Sequence, residues 1–312
     1  MGLQKILITG GNGMVGRNVQ GHPLAKAWEI YAPRKNELDL LDPNRTRDYI
    51  SRIQPDVVIH AAGLVGGIQA NIAYPVEFLF ENMQMGFNLI SAARKARVPR
   101  LLNIGSSCMY PREATNPLRE EQILTGALEP TNEGYALAKI ASMKLCEYIA
   151  RTDRELNYKT IIPCNLYGPY DKFDVTSAHM IPDVIRKMHS AKLAGENKIN
   201  IWNTGEARRE FMFVGDLVNA IFRHIASEGT PSIMNIGLGH DYSILEYYLA
   251  IKQVVGWEGT LVHDMTKPEG MKQKLVDISR QTDWGWQTQT SLTDGLEQTY
   301  EYYLETMKGK AS

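Results

Sequence analysis

The sequence predicts an α/β fold: a doubly wound parallel sheet followed by a smaller α/β C-terminal part. Three observations predict it. In the first half of the 312-residue chain, short β-rich runs alternate with longer helical patterns, the texture of strand–helix–strand units. Asp56-Val57-Val58-Ile59-His60 is an almost continuous apolar run, as a strand covered on both faces requires. Glycines recur at three-residue spacing, Gly10, Gly13 and Gly16, just after the first apolar run.

The elements follow in order. Ile6-Leu7-Ile8 is a strand and a helix begins at Gly13; Glu29 to Ala32 is a second strand, followed by a polar helix from Arg45 to Ile53. After the third strand at 56–60 comes a long helix from Pro75 to Arg97, with Phe78, Asn82, Met85, Leu89 and Ala93 on one face. Leu101 to Gly105 is a fourth strand, Glu133 to Arg151 a long helix, and Thr160-Ile161-Ile162 a fifth strand. The texture changes after Gly168. A polar, turn-rich stretch reaches Ala178, then helices are expected at Ile181–Leu193, Asp216–Ile225, Ser243–Val255 and Ser291–Thr306, with a short strand at Ile199–Trp202. A strand near 232–237 could return to the main sheet. The expected division is therefore residues 1–167 and 168–312, the second part built as insertions after the fifth strand.

Bulk properties narrow the function. Hydrophobic content of 44%, charged content of 22% and a net charge of −1 are those of an ordinary globular protein and argue against nucleic acid or a membrane surface as partner. No apolar run reaches the ~18 residues of a membrane helix. Cys108, Cys146 and Cys164 are odd in number and widely spaced, a pattern of reducing compartments rather than of disulfides or a zinc site. The first strand begins so early that no signal peptide fits ahead of it. A cytoplasmic location is expected.

The glycine loop Thr9-Gly10-Gly11-Asn12-Gly13-Met14-Val15-Gly16 makes the sheet Rossmann-type. Gly10 permits the tight turn, Gly13 lets backbone approach a pyrophosphate, and Gly16 lets the helix sit close to the sheet. The helix N-terminus then presents free N–H groups to phosphate. Strand two ends Ala32-Pro33-Arg34-Lys35-Asn36, with no acid before Glu37. Arg34 and Lys35 suit a 2′-phosphate, so NADPH is expected over NADH. Asp39 and Leu40 follow in a loop that can lie along the adenine.

Tyr135 and Lys139 are four residues apart near a helix start, so their side chains point the same way. An ammonium beside a phenol favours phenolate and is expected to lower the Tyr pKa from about 10. The phenol then suits protonation of a carbonyl oxygen that receives hydride. Gly105-Ser106-Ser107 ends strand four, and ligands of such sheets sit at the carboxyl ends of strands.

These motifs resemble the extended short-chain dehydrogenase/reductase family of nucleotide-sugar enzymes, over essentially the whole length. The carrying stretches are the glycine loop, Gly63-Leu-Val-Gly66-Gly67-Ile, Gly105-Ser-Ser-Cys108-Met-Tyr110-Pro111, Glu129-Pro-Thr-Asn132-Glu-Gly-Tyr135-Ala-Leu-Ala-Lys139, Asn165-Leu-Tyr-Gly168-Pro-Tyr-Asp171-Lys-Phe, His179-Met-Ile-Pro182 and Trp202-Asn-Thr-Gly205 with Arg209-Glu-Phe. Within that family the narrower resemblance is to the branch that epimerises a 4-keto GDP-sugar at C3 and C5 and reduces it at C4. The resemblance implies Ser106, rather than Ser107, as the hydroxyl that orients the ketone, with Tyr135 as proton donor. It implies that Lys139 tunes Tyr135 and holds the nicotinamide ribose. Cys108 is implied as base and His179 as acid of the epimerisation, roles a thiolate and an imidazolium can fill near neutral pH. Pro163, Asn165, Leu166 and His179 would lie near the nicotinamide. The substrate contacts implied are Lys187 and Arg209 on the diphosphate, Trp202 on guanine or ribose, and Glu269 in a loop where the family usually has Asp. Some members carry a basic residue where this chain has Asn12, which moves the 2′-phosphate onto Arg34 and Lys35. Arg208 has no assigned role. The family's long helices pair across a two-fold axis, so Phe80, Met83, Phe87, Met143 and Tyr148 are expected on a homodimer interface. The expected substrate is GDP-4-keto-6-deoxy-D-mannose, giving GDP-L-fucose; the alternatives are a 3,6-dideoxy ketosugar giving GDP-L-colitose, or a 6-deoxy-heptose.

Overall fold

The structure is a computed structural model and describes residues 3–175, 178–267 and 271–311. Strand β1 (Gln4–Thr9) runs through the glycine turn into helix α1 (Met14–Gly21), and β2 (Trp28–Tyr31) follows. Helix α2 (Pro43–Ile53) starts earlier than the sequence pattern suggests. Asp42 Oδ1 accepts the N–H groups of Asn44 at 2.9 Å and Arg45 at 3.0 Å, and Pro43 occupies the first turn, where its missing N–H costs nothing. The chain continues through β3 (Val57–His60), a short α3 (Ile68–Ala73), α4 (Pro75–Lys95), β4 (Arg100–Ile104), α5 (Glu133–Thr152) and β5 (Asn157–Pro163).

Beyond β5 the chain leaves the sheet as β6 (Asn165–Tyr167), then forms α6 (Met180–Ala194), β7 (Lys198–Trp202), β8 (Arg208–Arg209), β9 (Phe211–Phe213) and α7 (Val214–Ala226). It returns to the sheet as β10 (Ile233–Ile236), and continues with β11 (Tyr242–Ser243), α8 (Ile244–Val255), β12 (Thr260–Asp264), β13 (Gln273–Lys274), α9 (Ser279–Asp283) and α10 (Leu292–Ala311).

The main sheet is six-stranded and parallel throughout, in the order β10-β5-β4-β3-β1-β2. Strand order reverses beside β1, which opens a crevice at the carboxyl ends of β1 and β3. Period-two alternation divides the apolar residues between two layers. Leu7, Val58 and Leu101 pack with Ile50, Leu89, Ile90 and Ile149 on the α2–α4–α5 side. Ile6, Ile8, Val57, Ile59 and Leu102 pack with Val19, Leu217 and Ile221 on the α1–α7 side. A separate core formed by Ile181, Ile185, Met188, Phe211, Tyr247, Ile251 and Tyr303 supports the elements beyond β5. Met143, expected on an outer face, is fully buried in the core instead.

Small sheets carry the second half. β6 pairs with β9, β7 with β12, and β8 lies between β11 and β13. Glu210, fully buried between β8 and β9, ties these pieces to the main sheet. Its Oε1 accepts the N–H groups of Leu238 at 2.6 Å and Gly239 at 3.0 Å, and its Oε2 accepts that of Val276 at 2.9 Å.

Candidate active site

The glycine turn is built for close approach. Gly10 has φ +73°, and a Cβ there would stand 2.8 Å from the Ala61 oxygen. A Cβ on Gly16 would fall 2.3 Å from the Gly10 oxygen, so only glycine lets α1 sit this close to the turn. Gly13 is the N-cap of α1 and has no side chain to cap it, which leaves the first amides free around Met14 and Val15. Asn12 is exposed on the turn. Beside it, after β2, the exposed Arg34 and Lys35 sit in a turn closed by Glu37, whose carboxylate accepts the Arg34 N–H at 2.8 Å. Neither cation has an ion pair among the described residues. Leu40 is buried and its carbonyl accepts Asn88 Nδ2 at 2.7 Å, while Asp39 Oδ1 accepts the Leu41 N–H at 3.1 Å; both residues hold this loop in shape.

At the carboxyl end of β4, Ser107–Met109 makes one 3₁₀ turn. Ser106 Oγ accepts the Cys108 N–H at 3.4 Å, fixing the hydroxyl and the thiol relative to each other. Cys108 is buried. Helix α5 packs against this turn with Tyr135 in its first turn and Lys139 one turn later. The Tyr135 ring sits edge-on to Phe78 at 6.4 Å. Lys139 Nζ stands 5.7 Å from the Tyr135 ring centroid and donates to the Ile104 carbonyl at 3.0 Å. Four candidates distant in sequence thus meet at one strand end.

Their electrostatics differ from the simple Tyr–Lys expectation. Burial pushes the Tyr135 phenol up, with the neighbouring Cys108 adding to the rise, and Lys139 produces no lowering. Lys139 is itself brought down to about 8 by burial, partly offset by Cys108. Desolvation sets the direction for both groups. Burial also raises the Cys108 thiol, against the opposing pull of Lys274, the Ser106 hydrogen bond and Lys139.

His179 is the N-cap residue of α6, yet its ring makes no capping hydrogen bond, and its charge neighbour is Lys172 rather than any group at the end of β4. Loss of water and then the charge of Lys172 lower its pKa below 6.5. Two turns along α6, Lys187 Nζ pairs with Asp183 at 2.5 Å. Trp202 ends β7 and is 55% exposed, free to stack, with Lys267 Nζ 5.9 Å from its ring centroid. Arg209 on β8 is partly buried and, among the described residues, its guanidinium donates only to the Arg208 carbonyl, at 2.7 Å. Burial lowers its pKa, with Asp241 opposing. Arg208 points the other way and is held by Asp241 Oδ1 at 2.6 Å, so it is a structural cation. Pro163 ends β5; Asn165 and Leu166 begin β6, and Asn165 Nδ2 donates to the Glu210 carbonyl at 3.1 Å. Glu269 lies outside the described residues.

Comparison with known proteins agrees with this arrangement. The profile of the NAD dependent epimerase/dehydratase family matches residues 6–237. The chain belongs to that family. It is 52% identical over 301 residues to the GDP-L-colitose synthase of Yersinia pseudotuberculosis, covering 96% of this chain and 98% of that protein. It is 47% identical over 302 residues to the GDP-L-fucose synthase of Azorhizobium caulinodans, covering 96% of each. Among solved structures, a GDP-6-OMe-4-keto-L-xylo-heptose reductase from C. jejuni superposes with a TM-score of 0.90 at 29% identity, over 97% of this chain and 98% of that one.

As a member of the epimerase/dehydratase family the chain is a nicotinamide-dinucleotide-dependent enzyme of the extended short-chain dehydrogenase/reductase type. Two residues here have no role assigned from the sequence. Lys274 on β13 lies opposite Arg209 in register and within electrostatic reach of Cys108. Its neighbours Gln273 and Leu275 give no periodicity or spacing that marks it. Glu210 lies within the Arg209-Glu-Phe stretch, but only the fold shows that it is buried and accepts three amides.

Proposed function

We propose that the chain is an NADPH-dependent 3,5-epimerase/4-reductase acting on GDP-4-keto-6-deoxy-D-mannose and giving GDP-L-fucose. The observation that carries this reading is the meeting of the Cys108 thiol, the Tyr135 phenol and the Lys139 ammonium at the carboxyl end of β4. A plain ketoreductase needs the phenol and the ammonium; the thiol beside them suits a second task, removal of a proton from carbon next to the same ketone.

The epimerisation starts when the Cys108 thiolate takes the proton from ring carbon. The C–H pair moves into the enolate, whose oxygen is held by Ser106 and Tyr135. His179 returns a proton to the opposite face, inverting the centre. Bound NADPH supplies the hydride that reduces C4. As the ketone receives it, Tyr135 gives its proton to the oxygen, and Lys139 stabilises the phenolate left behind. Gly10, Gly13 and Gly16 fit a dinucleotide pyrophosphate, with Arg34 and Lys35 on the 2′-phosphate. Lys139, Pro163, Asn165, Leu166 and His179 border the nicotinamide end. On the substrate, Lys187 and Arg209 fit the diphosphate and Trp202 the guanosine.

The 52% identity to a GDP-L-colitose synthase favours one second reading, a 3,6-dideoxy-4-keto GDP-sugar. Its C3 carries two hydrogens and has no configuration to invert, so only C5 would change. NMR of the product formed from each ketosugar with NADPH, together with the ratio of kcat/KM, separates the two. A GDP-L-fucose product with the larger kcat/KM supports the first; a larger kcat/KM for the dideoxy sugar replaces it.

We also read the outer face of α4 and α5 as a two-fold interface. Val76, Phe80 and Phe87 on α4 and Leu137 and Tyr148 on α5 are exposed at helical spacing, a continuous apolar stripe of the kind that marks association.

A further inference from the structure

Asn235 is the one polar side chain of β10, and it is fully buried. A carboxamide is stable in such a place only when its hydrogen bonds are made. Its Nδ2 donates to the Leu118 carbonyl at 2.9 Å and to the Asp277 carbonyl at 3.0 Å, and its backbone N–H donates to Glu120 Oε1 at 2.8 Å. With both amide hydrogens committed the side chain has one orientation, which leaves Oδ1 to accept the Tyr110 hydroxyl. Tyr110 is buried as well. Burial and then the Glu120 carboxylate raise its pKa, so the hydroxyl keeps its proton and donates.

Tyr110 closes the 3₁₀ turn Ser107–Met109, on which Cys108 stands. The start of that turn is tied to the main sheet: Gly105 N donates to the Ile161 carbonyl at 2.8 Å, and the Ser106 carbonyl accepts Met109 N at 3.1 Å. Its end is tied through a side chain, the Tyr110 hydroxyl reaching past β5 to β10. The anchor it meets is rigid. Asn235 pairs with Ile162 in register, and the two segments its amide holds also bond to each other, Asp277 N donating to the Leu118 carbonyl at 2.8 Å.

We propose that Asn235 is a positioning residue for the Cys108 thiol, acting through the Tyr110 hydroxyl to fix the end of the turn that carries the sulfur. The other groups of the site are held by other means. Ser106 adjoins the bond from Gly105 to β5, and Tyr135 and Lys139 stand on α5. Loss of the Tyr110 hydroxyl should therefore disturb proton removal from carbon more than reduction of the ketone. The inference rests on the epimerase reading, in which the thiol must stand within reach of a ring carbon.

Tyr110→Phe removes the hydroxyl and keeps the ring. In deuterated water its kcat for exchange into the ketosugar should fall about tenfold or more, because a small displacement of a reacting group is costly. KM should stay unchanged, and NADPH-dependent reduction of a ketosugar already inverted at C3 and C5 should fall by a smaller factor. Asn235→Asp keeps an acceptor before the hydroxyl and should retain the wild-type ratio of exchange to reduction. Should Asn235→Asp fail to fold, the Tyr110→Phe comparison alone decides. Iodoacetamide, followed by peptide mass spectrometry, adds a readout without sugar: Cys108 is only 7% exposed, and a loosened turn should let it alkylate faster in Tyr110→Phe than in wild type at the same pH. Equal alkylation rates would overturn the proposal. So would losses of exchange and reduction by the same factor in Tyr110→Phe, which would leave the pair a structural role alone. Absence of uptake with wild-type enzyme would overturn the epimerase reading and this proposal together, whereas wild-type uptake that Tyr110→Phe matches would overturn the proposal alone.

Discussion

At the residue scale, burial opposes the charged forms of both groups proposed for the epimerisation. The Cys108 thiol titrates above its ordinary 9.0 and the His179 imidazole below its ordinary 6.5. Between those limits, each pH unit gains tenfold in thiolate and loses tenfold in imidazolium, so their product is constant. Exchange kcat/KM, which reports the free enzyme, is therefore expected to be flat from about pH 7 to pH 9 and to fall on both sides. A steep rise across that interval would show that only one of the two groups titrates. The two chemistries should also separate by substitution. Tyr135→Phe removes the proposed proton donor of the reduction and should cost about 10²–10⁴-fold in ketone reduction, with a smaller loss of deuterium exchange, because in this account Ser106 still holds the enolate oxygen. Steady-state NADPH oxidation and NMR of the recovered ketosugar read the two independently.

At the scale of elements, the strands, the long helices and the glycine turn were legible because their signals are local. Periodicity marks β3 and α4, and glycine spacing marks the turn before α1. The small sheets were not legible. β8, β11 and β13 have two residues each, too few for any alternation, and they exist because segments distant in sequence pair there. The motif residues Ser106, Tyr135 and Lys139 could be found from sequence, whereas Lys274 acquires its place only through that pairing. The pKa expectation for Tyr135 failed for a related reason: sequence shows a cation one turn away but not how far both groups are withdrawn from water. Glu210 carries the mechanical load of this region. Glu210→Ala leaves the amides of the buried Val276, the half-buried Leu238 and the exposed Gly239 without their acceptor, at about 1–3 kcal/mol for a buried one, and should lower stability by more than about 1 kcal/mol in urea unfolding; an unchanged stability would contradict the assigned role. At the other end of the sheet, Gly16→Ala drives a methyl into the Gly10 carbonyl and should weaken NADPH binding at least tenfold by fluorescence titration.

At the scale of the whole molecule, the chain is a six-stranded parallel sheet with the glycine turn after β1, Ser106 and Cys108 after β4 and Asn165 after β5, and a second half built of small sheets and helices around its own core. No helix among the described residues is long and apolar enough to cross a membrane. The apolar stripe on α4 and α5 is best explained by a second copy of the chain. Phe80 is 63% exposed, so Phe80→Glu should leave the fold intact and convert a dimer to monomer in sedimentation velocity at micromolar concentration. A monomeric wild-type enzyme would remove this reading.

One measurement reaches the central claim, that a thiol and a phenol act on the same ketosugar from one pocket. GDP-4-keto-6-deoxy-D-mannose is incubated in deuterated water without NADPH, and C3 and C5 are followed by NMR. Deuterium should enter both positions with the wild-type enzyme and neither with Cys108→Ala, while Cys108→Ala keeps the ability to reduce a ketone with NADPH. Exchange that persists undiminished in Cys108→Ala, or none with wild type, would contradict the account.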